Sequence, residues 1–330
     1  MFFKPDILAL FSGSLLVSLM LLYAAGHGAR ILAHWDLTSG SELQLRLERR
    51  TYLVSTLVAY AFAFQLLSFF LFIYTADRLH PFFTGAMCAA GSLNANFWGY
   101  PVVLLKVVNF LLAGWWLILN YTDCQGYDFP LIRPKYLLLL AITPVVLAET
   151  LMQVGYFLSL KPEVITSCCG TIFAAESRSL AADIAALPRA PTAAGLAAAL
   201  AGTLVLGLVF YRTGAGGYWF SGLSLFTFLV ALAGLISFIS LYIYELPTHH
   251  CPFCLLQGEY RYVGYPLYLT LLGGALAGLG VGVLMPWRWV ASLAAALPAL
   301  QKKLALLGLI SYALFTIIVL YQIMSSNLRM

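Results

Sequence analysis

Apolar residues fall into eight long runs, each separated from the next by a short polar stretch. The runs are Ile7–Gly26, Tyr52–Tyr74, Pro101–Asn120, Tyr136–Leu160, Ala193–Tyr211, Trp219–Tyr244, Val263–Leu284 and Leu304–Ile323. A helix needs about 20 mostly apolar residues to cross a bilayer. Each run therefore predicts one membrane-spanning helix. The first run follows Lys4 and exceeds the roughly 7–15 apolar residues of a signal-peptide core. Ala24-Ala25 is a poor cleavage site, so this run is expected to stay as a spanning helix. No long period repeats, and only the Ala-rich stretch 181–201 is of low complexity.

Composition fits that pattern. The chain is 62% hydrophobic and 9% charged, whereas soluble domains carry about 25% charged residues. The expected fold class is an all-α polytopic membrane protein. The net charge of +5 lies in the connecting loops, so it reports orientation and does not point to a nucleic-acid partner. One set of loops holds Arg30, Arg46, Arg49, Arg50, Arg133, Lys135, Arg212, Arg288, Lys302 and Lys303, ten cations against five acids. The other set holds Lys4, Arg78, Lys161, Arg178, Arg189, Arg261 and Arg329, seven cations against seven acids. The positive-inside rule makes the first set cytoplasmic. Both termini and five of the six cysteines then face the periplasmic side of an inner membrane, and Cys124 faces the cytoplasm.

The chemistry concentrates in His249-His250-Cys251-Pro252-Phe253-Cys254-Leu255-Leu256-Gln257. Two thiols at Cys-x-x-Cys spacing can close a small ring and trade a disulfide. The pair is expected to open the seventh helix, where positive partial charge stabilises a thiolate and Pro252 suits the first turn. A structural disulfide or half a zinc site is the bland alternative. His249 and His250 can tune the thiols, join them as mixed metal ligands, or sit in a wet loop.

Cys168 and Cys169 are adjacent. Sequential Cα atoms lie ~3.8 Å apart, too close for the usual ~4.4–6.8 Å span of a disulfide. They should choose different partners, one of them Cys251 or Cys254 and the other Cys88, or else act together as a soft-metal dithiolate. Cys88 lies among small neighbours in Gly85-Ala86-Met87-Cys88-Ala89-Ala90-Gly91.

The Cys251–Gln257 motif resembles the quinone-proximal motif of the DsbB family of disulfide-generating membrane proteins. The helix order around it resembles vitamin K epoxide reductase and its bacterial homologues. The resemblance covers about 136–285 and takes in Ser167-Cys168-Cys169-Gly170-Thr171-Ile172-Phe173, followed by an expected half-helix at about Phe173–Leu187. It implies that helices four to seven form a four-helix redox bundle in which Cys251 and Cys254 react with a non-covalently bound ubiquinone or menaquinone. Cys254 would face the quinone, and Cys168 or Cys169 would relay electrons from a soluble thioredoxin-like partner. It also implies three regions: 1–135, a three-helix region of unknown role; 136–285, the redox bundle; and 286–330, a last spanning helix.

Two departures from the family stand out. The loop cysteines touch, and Gly258 stands where DsbB-type proteins carry a quinone-binding arginine. Arg261, one turn on, is the candidate substitute, with Gln257 and Glu149 as further candidate quinone contacts.

Glu149 and Gln153 share a face of the fourth span, and Lys106 and Asn109 lie in the third. Charges within a membrane mark a site or a pair. A Lys106–Glu149 pair is expected if those helices pack together. The Gly274, Gly278 and Gly282 face predicts close approach of another helix. Trp115, Trp116, Trp219, Trp287 and Trp289 are read as interfacial belts. The rival function is a soft-metal transporter or sensor that captures Cu(I) or Hg(II) through His249, His250, Cys251 and Cys254.

Overall fold

A computed structural model describes residues 4–36, 39–161, 164–166 and 180–328. Among these the chain is helical without strands, and eight helices are long and apolar enough to cross a membrane. We number them α1 (Pro5–His34), α2 (Glu42–Leu79), α3 (Gly99–Asp123), α4 (Ile132–Leu158), α5 (Arg189–Thr213), α6 (Gly217–Tyr244), α7 (Gly264–Leu284) and α8 (Ala296–Ser325). The chain is thus an all-α polytopic membrane protein. Every expected span has its helix, and most run beyond the apolar stretch into polar residues. Pro5 occupies the first turn of α1, where its missing N–H costs nothing. α5 stops at Gly214, whose φ of 72° supplies the left-handed C-cap. Of the expected half-helix, Leu180–Ala185 is helical; Phe173–Ser179 lies outside the described residues.

The helices sort into two compact units. The first comprises Met1–Thr75, Asn96–Lys161 and Trp287–Leu297. Here α4 packs along α1 and α3, and α2 joins through Ser55 Oγ to Tyr136 Oη (3.3 Å) and Phe62 edge-on to Trp116. The second comprises Ala76–Ala95, Pro162–Pro286 and Pro298–Met330. In it α6 packs against α5 and α7. α8 joins when Tyr312 Oη donates to the Ser224 carbonyl (2.7 Å) and Gln301 Nε2 donates to the Val281 carbonyl (3.2 Å).

This division moves the expected boundary. The helix that follows residue 135, α4, packs on α1 and α3, so the first compact unit runs on past that position to Lys161. The four long helices of the second unit are therefore α5 to α8, and the last helix is integral to it. The glycine face of α7 does what small residues allow. A Cβ at Gly278 or Gly282 would collide with the Ser224 or Ser221 hydroxyl of α6.

Several buried polar side chains of the first unit pair with one another. Lys106 Nζ lies 2.6 Å from Glu149 Oε1 and 3.2 Å from Ser68 Oγ. Gln65 and Asn109 donate to the other carboxylate oxygen. The expected Lys106–Glu149 pair is present, 1% exposed at each residue. A second pair was not expected. Lys135 counted as a loop cation, yet it is buried and its Nζ lies 2.6 Å from Asp123 Oδ2. Trp116 is also interior, donating from Nε1 to the Lys135 carbonyl, and is not a belt residue.

Removing one partner of a buried pair strands the other charge. Lys106→Met should lower the unfolding free energy in detergent by about 3 kcal/mol, and adding Glu149→Gln should recover much of that. Equal losses in the single and double variants would show that the pair carries no such charge.

Candidate functional site

The second unit gathers three cysteines from two distant stretches of sequence. Cys88 lies after α2 and precedes the short helix Ala89–Leu93. Cys251 and Cys254 lie between α6 and α7. The Cys88 and Cys251 sulfurs are 3.6 Å apart. All three sulfurs lie within 4.8 Å of one another. Cys88 and Cys251 are fully buried and Cys254 is 4% exposed.

The Cys-x-x-Cys does not open a long helix, which corrects the sequence-based expectation. Cys254–Leu256 is one 3-10 turn, Gly258–Tyr260 is another, and α7 begins only at Gly264. Arg261 and Tyr262 adopt left-handed φ values of 54° and 56°, which no continuing α-helix accommodates. The helix N-terminus is therefore not what prepares these thiols.

Hydrogen bonds hold the segment instead. Tyr244 Oη donates to the Cys251 carbonyl and Tyr268 Oη to the Pro252 carbonyl, each at 2.5 Å. These satisfy carbonyls that a buried, non-helical stretch leaves open. α6 contributes a π turn at Leu235–Ile239, and His250 Nδ1 donates to the Ile236 carbonyl within it (2.8 Å). A π turn frees a carbonyl from the regular ladder, and here a side chain takes one.

A strap ties the two sulfur-bearing segments together. Gln257 Nε2 donates to the Met87 carbonyl (2.8 Å) and to Asp77 Oδ1 (3.2 Å). Asp77 Oδ1 also accepts the Ala89 backbone N–H (3.1 Å). Bonds to the residues on either side of Cys88 thus come from Gln257, three positions past Cys254, and from Asp77. A further link joins the Thr166 backbone N–H to the Thr84 carbonyl (2.9 Å). Gly85 makes this approach possible: its φ is 87°, and a Cβ there would collide with the Thr166 carbonyl.

The other expected site residues separate from this cluster or change role. Cys168 and Cys169 lie outside the described residues. Gln257 is a strap. Arg261 is exposed. Glu149 belongs to the first unit, where Lys106, Gln65 and Asn109 occupy its carboxylate. His250 holds the π turn. His249 packs edge-on against Tyr244, with ring centroids 4.4 Å apart. Burial holds its imidazole below the ordinary 6.5; a Cys88 thiolate acts the other way, and His250 adds to the lowering. Cys124 caps the end of α3 and is exposed. Asp77, Tyr244 and Tyr268 were not anticipated. Only Asp77 carried a sequence signal, as an acid near the end of an apolar run.

Two measurements test this arrangement. Gln257→Ala should slow oxidative closure of a Cys88–Cys251 crosslink about tenfold, read on a diagonal gel; an unchanged rate would mean the strap does not set the sulfur spacing. A histidine held below 6.5 when folded stays neutral while the unfolded chain protonates, so its contribution is whole above pH 6.5 and shrinks as pH falls below it. The melting temperature should drop between pH 7.5 and 5.5, and less steeply in His249→Phe; parallel profiles would remove His249 as the cause.

Compared with family models, with curated proteins and with solved structures, the chain matches none.

Proposed function

We propose that this chain is a multi-pass thiol–disulfide oxidoreductase of the inner membrane. It passes electrons between periplasmic dithiol proteins of thioredoxin-like type and a membrane quinone. One observation carries the reading: three buried sulfurs lie within 4.8 Å of one another, with Cys88 and Cys251 3.6 Å apart. Disulfide exchange needs three sulfurs, one attacking, one attacked and one leaving. The resemblance of the Cys251–Gln257 motif to DsbB-type and vitamin K epoxide reductase proteins supports the quinone end.

The resting state holds a Cys251–Cys254 disulfide. The Cys88 thiolate attacks the Cys251 sulfur; the Cys88–Cys251 bond forms, and Cys254 leaves as a thiolate with the electron pair. A loop cysteine, Cys168 or Cys169, then attacks Cys88. This leaves a loop disulfide and a Cys251–Cys254 dithiol. Quinone takes two electrons and two protons from that dithiol and departs as quinol, and the Cys251–Cys254 disulfide closes again. The partner dithiol reduces the disulfide between the loop cysteine and Cys88 and is itself oxidised. The net change is one dithiol and one quinone to one disulfide and one quinol. The chain leading into the loop cysteines is bonded at Thr166 to Thr84, four residues before Cys88, which favours Cys88 as the acceptor from that loop.

The protein's role is proximity in a dry setting. Sulfurs held at contact distance react without the entropic cost of finding each other. Alkylation with a mass tag after a reducing pulse tests the reading in the full-length protein. Added quinone should protect Cys251 and Cys254 in the wild type. Cys88→Ser should leave quinone-driven closure of Cys251–Cys254 intact while slowing electron delivery from a reduced thioredoxin-like protein at least a hundredfold. Thiols that stay tagged whether or not quinone is present would refute the relay.

A further inference from the structure

The sulfur spacing has a second use that does not depend on the relay. A metal–thiolate bond of about 2.3 Å places the three sulfurs of a trigonal site about 4 Å apart. The Cys88–Cys251 separation of 3.6 Å and the 4.8 Å bound on all three pairs bracket that value. The donor set is all sulfur. His250 Nδ1 is committed to the Ile236 carbonyl, and the cluster of mutually close ligand atoms comprises Cys88, Cys251 and Cys254 alone among the described residues. Zinc prefers four ligands, whereas soft, singly charged Cu(I) accepts three thiolates. Burial makes a bare thiolate costly, and a bound cation offsets part of that charge.

We propose that the reduced cluster binds one Cu(I) ion between the sulfurs of Cys88, Cys251 and Cys254. Among the described residues no second group of three such ligands converges. A disulfide between any two members removes two of the three donors, so metal and disulfide exclude each other. This one consequence rests on the proposed relay: copper would inhibit it by locking the reduced form. The ligand set differs from the sequence-based one: Cys88 replaces both histidines.

The test titrates Cu(I), without oxygen, into the detergent-solubilised full chain against a chromophoric chelator. The phosphine-reduced protein should take up one equivalent at this site, with an X-ray absorption shell of three sulfurs. Protein with the Cys251–Cys254 disulfide closed should bind at least a hundredfold more weakly. Cys88→Ser should lose at least tenfold in affinity. Cys124→Ser and the paired variant Cys168→Ser/Cys169→Ser should bind as the wild type does. A two-sulfur shell in the wild type, or full affinity in Cys88→Ser, overturns the proposal, as does loss of binding in the paired variant. The wild-type absorption shell decides the matter even if Cys88→Ser fails to fold. Copper binding without quinone-driven reoxidation would sink the relay alone, and the converse would sink only the metal site.

Discussion

A polar group enclosed by apolar helices has no water to turn to, so it must be answered from within the protein or it destabilises the fold by several kcal/mol. Both units are organised around that constraint. In the first, Glu149 on α4 is met by Gln65 from α2 and by Lys106 and Asn109 from α3. Each contact fixes the rotation of a helix about its own axis, because a helix turned by one residue, about 100°, would leave a charge facing hydrocarbon. In the second, the same requirement acts on backbone. The stretch from Cys251 to Leu256 is buried at Cys251, Cys254 and Leu255 yet is not a regular helix. Its carbonyls take the hydroxyls of Tyr244 and Tyr268.

The sulfur cluster follows from this need for internal partners. Cys88 and Cys251 are 163 residues apart in sequence. Nothing local to either cysteine brings them together; Asp77 and Gln257 do, by bonding the residues that flank Cys88. A cluster held this way has few low-energy states. Three thiols, a disulfide plus one thiol, and three thiolates around a cation need different sulfur spacings, from about 2.05 Å in the disulfide to about 4 Å around the metal. They differ in charge and covalency, and a small movement interconverts them.

The spans were legible in the sequence because an apolar run of about 20 residues has only one stable fate in a bilayer. The Lys106–Glu149 pair was legible for the same reason, since two opposite charges on neighbouring spans are forced together. The seventh helix was misread at its start. A Cys-Pro dipeptide matches a helix opening, but Gly258-Glu259-Tyr260-Arg261-Tyr262 separates it from the apolar run beginning at Val263, and that polar interval was the available signal. Lys135 looked like a loop cation because its partner Asp123 lies in a different helix, across a turn. The role of Cys88 depends on a strap whose members, Asp77 and Gln257, are 180 residues apart. A single sequence carries no trace of such a contact.

The ion pair of α3 and α4 also bears on where chemistry can occur. A carboxylate accepts about four hydrogen bonds, and Glu149 already has Lys106, Gln65 and Asn109 as donors. The arrangement leaves the carboxylate occupied by three donors, which is a poor state for a group meant to grip a further ligand. Well-packed apolar residues often match or exceed a buried pair in stability, so stability alone does not explain why charge is kept there. Orientation does. Donors from two helices converge on a carboxylate carried by a third, and only one rotational setting of α2, α3 and α4 satisfies them all. Register at the cost of some stability is the best-attested use of such pairs, and it leaves the buried sulfurs as the centre where bonds can change.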